Sequence, residues 1–199
     1  FEDEFEILEH LIIGSEGTLA FIEEITYYTV EDLKDKASAL IYFKDMKEAC
    51  SAVTKLKLAR DSKQIIVDAV ELMDRAGLKS IEQDPAMPEY IKDFGDEVTA
   101  LLIETRAISD EQLNIQIAQI EELLKEFNVV RDIYFTKDEY EYTLYWKIRK
   151  GLFPAVGAVR VTGTTVIIED VAYPIECLAE ATLELQGLFK KYGYSEALI

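Results

Sequence analysis

The chain predicts an α+β fold, a ferredoxin-like sandwich with a mainly antiparallel sheet and helices packed on one face. Three observations predict it. Short apolar runs at 37–43, 65–70, 98–105 and 129–135 have the length of strands. Between them lie segments whose apolar residues recur at helical spacing. The segments joining strands and helices are punctuated by capping residues, glycine and proline.

The elements follow in order. Residues 1–30 read as strand, glycine loop and strand, the tail of a preceding domain, and 29–36 as a charged connector. The run 37–43 is a strand. Asp45 with Glu48 three residues later opens a helix that puts Ala49, Val53 and Leu56 on one face. After the strand at 65–70, residues 71–77 form a short helix ended by Gly77. Residues 79–97, with Pro85, Pro88 and many charges, read as a surface excursion. The strand at 98–105 is followed by a Ser109/Gln112 capping box and by Leu113, Ile117, Ile120, Leu124 and Phe127 at helical spacing. After the strand at 129–135, Thr136 with Glu139 opens a helix through Lys150. Residues 164–171 read as a buried strand, and Pro174 begins a last helix that runs to Tyr192 and stops at Gly193. The run 196–199 reads as a further strand cut short, so the expected division is 1–30 and 31–199, with the second part truncated at its C-terminal end.

Composition narrows the function classes. A chain of 199 residues can bury roughly 70% of its unfolded surface and needs no staples. With 39 acidic against 21 basic side chains the net charge is −18, which repels phosphate backbones and anionic membranes and makes nucleic acid an unfavourable partner. No apolar run reaches the ~20 residues of a membrane span. Cys50 and Cys177 form no Cys-x-x-Cys and read as small apolar residues kept reduced in a cytoplasmic protein.

Two stretches can carry chemistry. The first is Ile13-Gly14-Ser15-Glu16-Gly17-Thr18-Leu19, where glycines allow positive φ and close approach, and Ser15 and Thr18 add hydroxyls beside loop amides. Taken alone, its spacing favours an ordinary glycine turn joining two buried strands. The second is Trp146-Lys147-Ile148-Arg149 at the end of a helix, followed by Gly151, Gly157 and Gly163. Arginine offers a planar, always-charged fork that matches a carboxylate. Among so many acids the sequence alone favours an ion-paired residue near a helix C-terminus.

Both stretches resemble one family. The glycine loop resembles the closing segment of the flavin domain in FAD-linked oxidases of the p-cresol methylhydroxylase and vanillyl-alcohol oxidase superfamily, with Ala20 where many relatives carry another glycine. The Trp-x-x-Arg segment is similar to that of D-lactate and D-2-hydroxyglutarate dehydrogenases. The runs after it look most like large bacterial members that append an iron–sulfur module, which would lie outside this chain. The resemblance implies that Gly14, Ser15, Gly17 and Thr18 contact FAD in the parent protein and that Arg149 grips the carboxylate of a small-molecule 2-hydroxy acid. It implies hydride transfer to flavin, an electron acceptor it does not identify, and the remainder of the flavoprotein as partner. The isolated chain is then expected to be inactive and to bind FAD poorly.

Other residues carry less. The strand with Ile167, Ile168, Glu169 and Asp170 lacks the base that hydroxyglutarate-type relatives often place there, and Arg160 is a second candidate anion contact. His10, the only histidine, reads as a surface residue, and relatives supply metal-binding histidines from beyond this stretch, so no metal site is expected here. Tyr140, Tyr142 and Tyr145 read mainly as packing, and Glu16 has no assigned proton-transfer role. The competing reading is a non-catalytic sensing or protein-interaction module on the same scaffold.

Overall fold

The computed structural model describes residues 1–83, 87–159, 162–164, 171–194 and 197–199. Chain contacts divide it into two compact units, Phe1–Asp32 and Leu33–Ile199.

The first unit contains a helix, α1 (Glu4–Gly14), where the sequence suggested a strand. The β-branched run before Gly14 favours a strand locally, but a stronger start signal lies upstream. Asp3 caps the helix by accepting from the Glu6 N–H, and Glu4 and Glu6 complement the dipole in the first turn. The glycine loop therefore follows a helix. The segment 18–34 has no regular secondary structure.

In the second unit, β1 (Asp35–Phe43), β2 (Ala69–Met73) and β3 (Thr99–Ala107) form an antiparallel sheet in the order β1-β3-β2. The register pairs Ser38 with Glu104 across β1 and β3, and Glu71 with Leu102 across β2 and β3. The segment 129–136 runs antiparallel along the free edge of β1, bridging Phe43 to Val129 and Ser38 to Thr136. It is anchored by Val130 N to Tyr42 O at 2.8 Å and Thr136 N to Ser38 O at 2.9 Å. The spatial order of these four segments is that of the ferredoxin-like sandwich, as expected. The fourth is not a regular strand. Between its two bridges it spends seven steps of chain where β1 spends five, so the surplus bulges and the ladder breaks.

The helices are α2 (Met46–Asp61), α3 (Arg75–Ile81), α4 (Asp110–Leu124), α5 (Glu139–Val159) and α6 (Leu178–Tyr192). Asp45 and Ser109 cap α2 and α4 as the sequence predicts, accepting from the N–H groups of Glu48 and Gln112. Gly193 ends α6 with φ +80°, the left-handed conformation glycine adopts at no steric cost. On one sheet face, Ile41 and Phe43 of β1 and Leu101 and Ile103 of β3 pack against Ala49, Ala52 and Leu56 of α2 and Ile120 and Leu124 of α4. The α6 helix lies against α2. The other face is covered too, by α3 and α5, because β1 and β3 alternate apolar residues on both sides. Tyr42, Ala100 and Leu102 meet Leu78, Ile148 and Leu152 there.

Several boundaries move. Residues 65–68 have no regular secondary structure, although Ile65 and Val67 are buried and the Asp68 N–H donates to the Glu104 carbonyl at 2.9 Å. The Asp68 carboxylate takes the Arg106 N–H at 2.6 Å, and the ladder begins at Ala69. Gly77 does not end a helix; it lies in the first turn of α3, where its N–H donates to the capping Asp74 at 2.7 Å. The excursion 79–97 is partly core, since Met87 and Ile91 are buried and Glu89–Asp93 forms a 3-10 turn. The helix after Thr136 starts at Glu139, with the Asp138 carboxylate accepting from Glu141 N at 3.0 Å. It passes through Gly151 and Pro154 rather than stopping at Lys150. The expected strand at 164–171 lies almost wholly outside the described residues, as does Arg160. No described helix is long and apolar enough to cross a membrane.

Candidate functional site

A buried carboxylate is the centre of the second unit's polar cluster. Glu104 faces the α5 side of the central strand β3 and is 2% exposed. A charge there is tolerated only if its oxygens are saturated with donors. They are. Oε2 accepts from the Trp146 indole N–H at 2.6 Å and from the Ser38 hydroxyl at 3.0 Å. Oε1 accepts from Arg106 Nε and Nη2, both at 2.7 Å. Ser38 is the register partner of Glu104, which places its hydroxyl alongside.

This cluster explains the Trp-x-x-Arg spacing. Residues three apart on a helix share a face. Trp146 drives its indole N–H into Glu104, which fixes the rotation of α5, and Arg149 one turn on reaches the sheet edge. There Nε and Nη2 of Arg149 both donate to Glu71 Oε2 on β2, each at 2.9 Å. The pair is part-exposed, 40% for the arginine side chain and 37% for the glutamate. The guanidinium edge formed by Nη1 and the second hydrogen of Nη2 has no partner among the described residues. Arg149 is thus inside a continuous helix, not at its terminus, and it is ion-paired as one sequence reading held. One edge of its fork nevertheless stays available to an anion.

Neighbouring tyrosines are chiefly packing. Tyr142 is buried under the Lys36 ammonium, 4.6 Å from its ring centroid, and burial followed by the Glu139 and Glu104 charges pushes its hydroxyl pKa up. Tyr145 donates to Glu141 at 2.7 Å, and burial with that hydrogen bond raises its pKa. Tyr140 is exposed.

The glycine loop belongs to the first unit. Ser15 donates its hydroxyl to the Ile12 carbonyl and Thr18 to the Ser15 carbonyl, both at 2.7 Å. Their protons are thereby turned inward, and their lone pairs remain to accept. Glu16 at φ +48° and Gly17 at φ +83° bend the chain. Gly14 and Gly17 face open space where a Cβ would stand, and the Gly17 N–H has no partner among the described residues. An open, side-chain-free surface with one free amide suits the close approach of a planar group such as a flavin. His10 is exposed on α1, its Nδ1 donating to the Glu6 carbonyl at 2.8 Å. Among the described residues no cluster of His, Cys, Asp and Glu is arranged to hold a metal ion.

The sequence singles out Arg149 and does not single out Glu71, Glu104, Ser38 or Arg106. A signal existed for one of them. Glu104 ends an apolar run, Ala100-Leu101-Leu102-Ile103, within the strand predicted at 98–105.

The second unit is an antiparallel α+β sandwich with an ion-paired arginine on α5, and comparison with known proteins gives the family. Residues 33–199 match the model for FAD linked oxidases, C-terminal domain, and the chain belongs to that family. It is 27% identical to a D-lactate dehydrogenase of Anaerostipes hadrus, covering 96% of this chain and 40% of that protein. It is 30% identical to a mitochondrial D-lactate dehydrogenase (cytochrome) of Arabidopsis thaliana, covering 87% of this chain and 28% of that protein. The chain thus spans well under half the length of these relatives. A solved structure of alkyldihydroxyacetonephosphate synthase superposes with a TM-score of 0.51 at 18% identity, over 75% of this chain and 29% of that one, and shares the fold.

Proposed function

We propose that the chain is the substrate-covering part of an FAD-dependent dehydrogenase acting on a 2-hydroxy acid, with residues 1–30 the closing segment of the flavin domain and 31–199 the cap. Gly14, Ser15, Gly17 and Thr18 would contact the FAD, and Arg149 would hold the substrate carboxylate. The observation that carries this reading is the Arg149 fork, held along one edge by Glu71 and open along the other. Relatives named D-lactate dehydrogenase support the substrate class.

The flavin, when bound, would supply the hydride acceptor for oxidation at the substrate Cα. The part of this chain is geometric. The open edge of Arg149 takes the two carboxylate oxygens in parallel hydrogen bonds, which fixes where the Cα lies. Trp146 and Glu104 hold the helix that carries the arginine, and the sheet beneath keeps that helix from shifting. The glycine loop contributes closeness, since no side chain intervenes at Gly14 or Gly17.

Anaerobic titration of the full-length protein with a panel of 2-hydroxy acids, followed by flavin absorbance, tests the reading. One acid bleaches the flavin, and Arg149→Ala lowers kcat/KM for that acid by about 10²-fold, the equivalent of losing one or two charge-assisted hydrogen bonds. A flavin that no acid reduces, or an Arg149→Ala enzyme with unchanged kcat/KM, contradicts it.

A further inference from the structure

We infer that Glu71 is a positioning residue for Arg149, an inference that rests on the carboxylate-anchor reading above and names what makes the anchor work. Three observations lead to it. First, the contact is one-sided: a single oxygen, Oε2, receives both Nε and Nη2 at 2.9 Å. That geometry occupies the lateral edge of the guanidinium and leaves the terminal edge, Nη1 with the second Nη2 hydrogen, aimed away from Glu71. Second, the pair contributes little to the fold. With 40% and 37% of the two side chains exposed, solvent screens the attraction, so holding the sheet together does not account for it. Third, Glu71 is rigidly placed. It lies within β2, in register with Leu102 of the central strand, on the face where α5 packs.

An arginine on an open helix face samples many rotamers, and a ligand that needs one of them must freeze the rest. Glu71 removes that freedom before the ligand arrives. It also consumes one of the two carboxylate-sized edges, so Arg149 can take one carboxylate group and no more. Glu71 does not touch the ligand in this scheme. It sets the plane of the fork and the direction in which its free edge points.

The test is a double-mutant cycle on the full-length flavoprotein, read by calorimetric titration with pyruvate, 2-oxobutyrate, glyoxylate and 2-oxoglutarate, the tightest of which is carried forward. Product-like acids report binding without turnover. Arg149→Ala weakens binding by about 10²-fold, and Glu71→Ala weakens it by about tenfold. Glu71→Gln, which keeps an acceptor oxygen, loses only about threefold and serves if the alanine variant folds poorly. In an Arg149→Ala background Glu71→Ala changes affinity by less than about twofold, because its effect passes through the arginine. A Glu71→Ala protein that binds as well as or better than the parent, or that loses the same factor in both backgrounds, overturns the inference and leaves the anchor standing. An Arg149→Ala protein with undiminished affinity overturns the anchor and the inference together.

Discussion

The two faces of the sheet are built on different terms. Toward α2 and α4 the interior is apolar, and its buried polar contact is uncharged: the Thr105 hydroxyl donates to Gln116 Oε1 at 2.8 Å. Toward α3 and α5 the apolar packing of Met73, Leu78, Ile91 and Leu102 gives way, at the Glu104 end, to a carboxylate, a guanidinium, a hydroxyl and an indole N–H. A buried charge with its full complement of partners is at best neutral for stability compared with apolar packing. The first face is explained largely by folding, although Gln116 Nε2 is buried there without a hydrogen-bond partner. The second departs from that rule, and the departures lie where Arg149 is held, which is the pattern expected of a functional face.

Removing the carboxylate is the strongest test of that contrast. Glu104→Ala leaves the Trp146 indole N–H and the Ser38 hydroxyl without their common acceptor and takes one partner from the part-exposed Arg106, and a buried donor left unsatisfied costs about 1–3 kcal/mol of unfolding free energy. Urea unfolding measures it. Glu104→Gln keeps an acceptor and loses less. If the alanine variant unfolds within 1 kcal/mol of the parent, roughly the size of an exposed pair, the cluster is a solvated feature and the contrast between the faces fails.

The opposite face supplies the matched control. Ile103 is fully buried against the α2 and α4 side, one residue before Glu104 and pointing the other way. Ile103→Ala costs about 2–5 kcal/mol through lost burial and a cavity. Measured on the fraction that remains folded, its affinity for a 2-oxo acid stays within about twofold of the parent, because α5 packs on the opposite face. An affinity loss equal to that of Glu104→Gln would mean that both faces support the arginine and would erase the functional distinction.

Much of this architecture could be read in the chain, and most of the parts that could not share a cause. Caps at Asp45 and Ser109 and the stop at Gly193 are local chemistry within four residues, so they were legible. The strand periods and the resulting spatial order follow from local pattern as well. What escaped depends on distant partners. Asp68 delays β2 by capturing the N–H of Arg106, and 129–136 breaks as a strand because its count does not match β1. Asp3 overrides a strand-like run to start α1, a local signal that the β-branched residues masked. The site shows the same division. Arg149 stood out by its motif, but its partner Glu71 is 78 residues away and one of 39 acids, so no pattern in sequence could single it out.

The smallest effect concerns the α3 side of the second face, where Asp74 is 5% exposed. Its carboxylate accepts from Gly77 N at 2.7 Å and Ile199 N at 3.1 Å, bonds that favour the charged form. Burial outweighs them and raises its pKa above the ordinary 3.8. The folded protein therefore binds this proton more tightly than the unfolded chain. By linkage, the stability Asp74 contributes is fully present below pH 3.8 and is lost as pH rises through the higher folded-state value. Acid unfolding as a whole runs the other way, so the contribution is visible only as a difference. Subtracting the stability of Asp74→Asn, measured by urea unfolding from pH 3.5 to 7, isolates it. Parent minus variant declines with rising pH and then levels. A difference that rises with pH would show that the two backbone N–H groups outweigh burial, which would make Asp74 a carboxylate kept charged by its donors and would extend the polar character of this face from one end to the other.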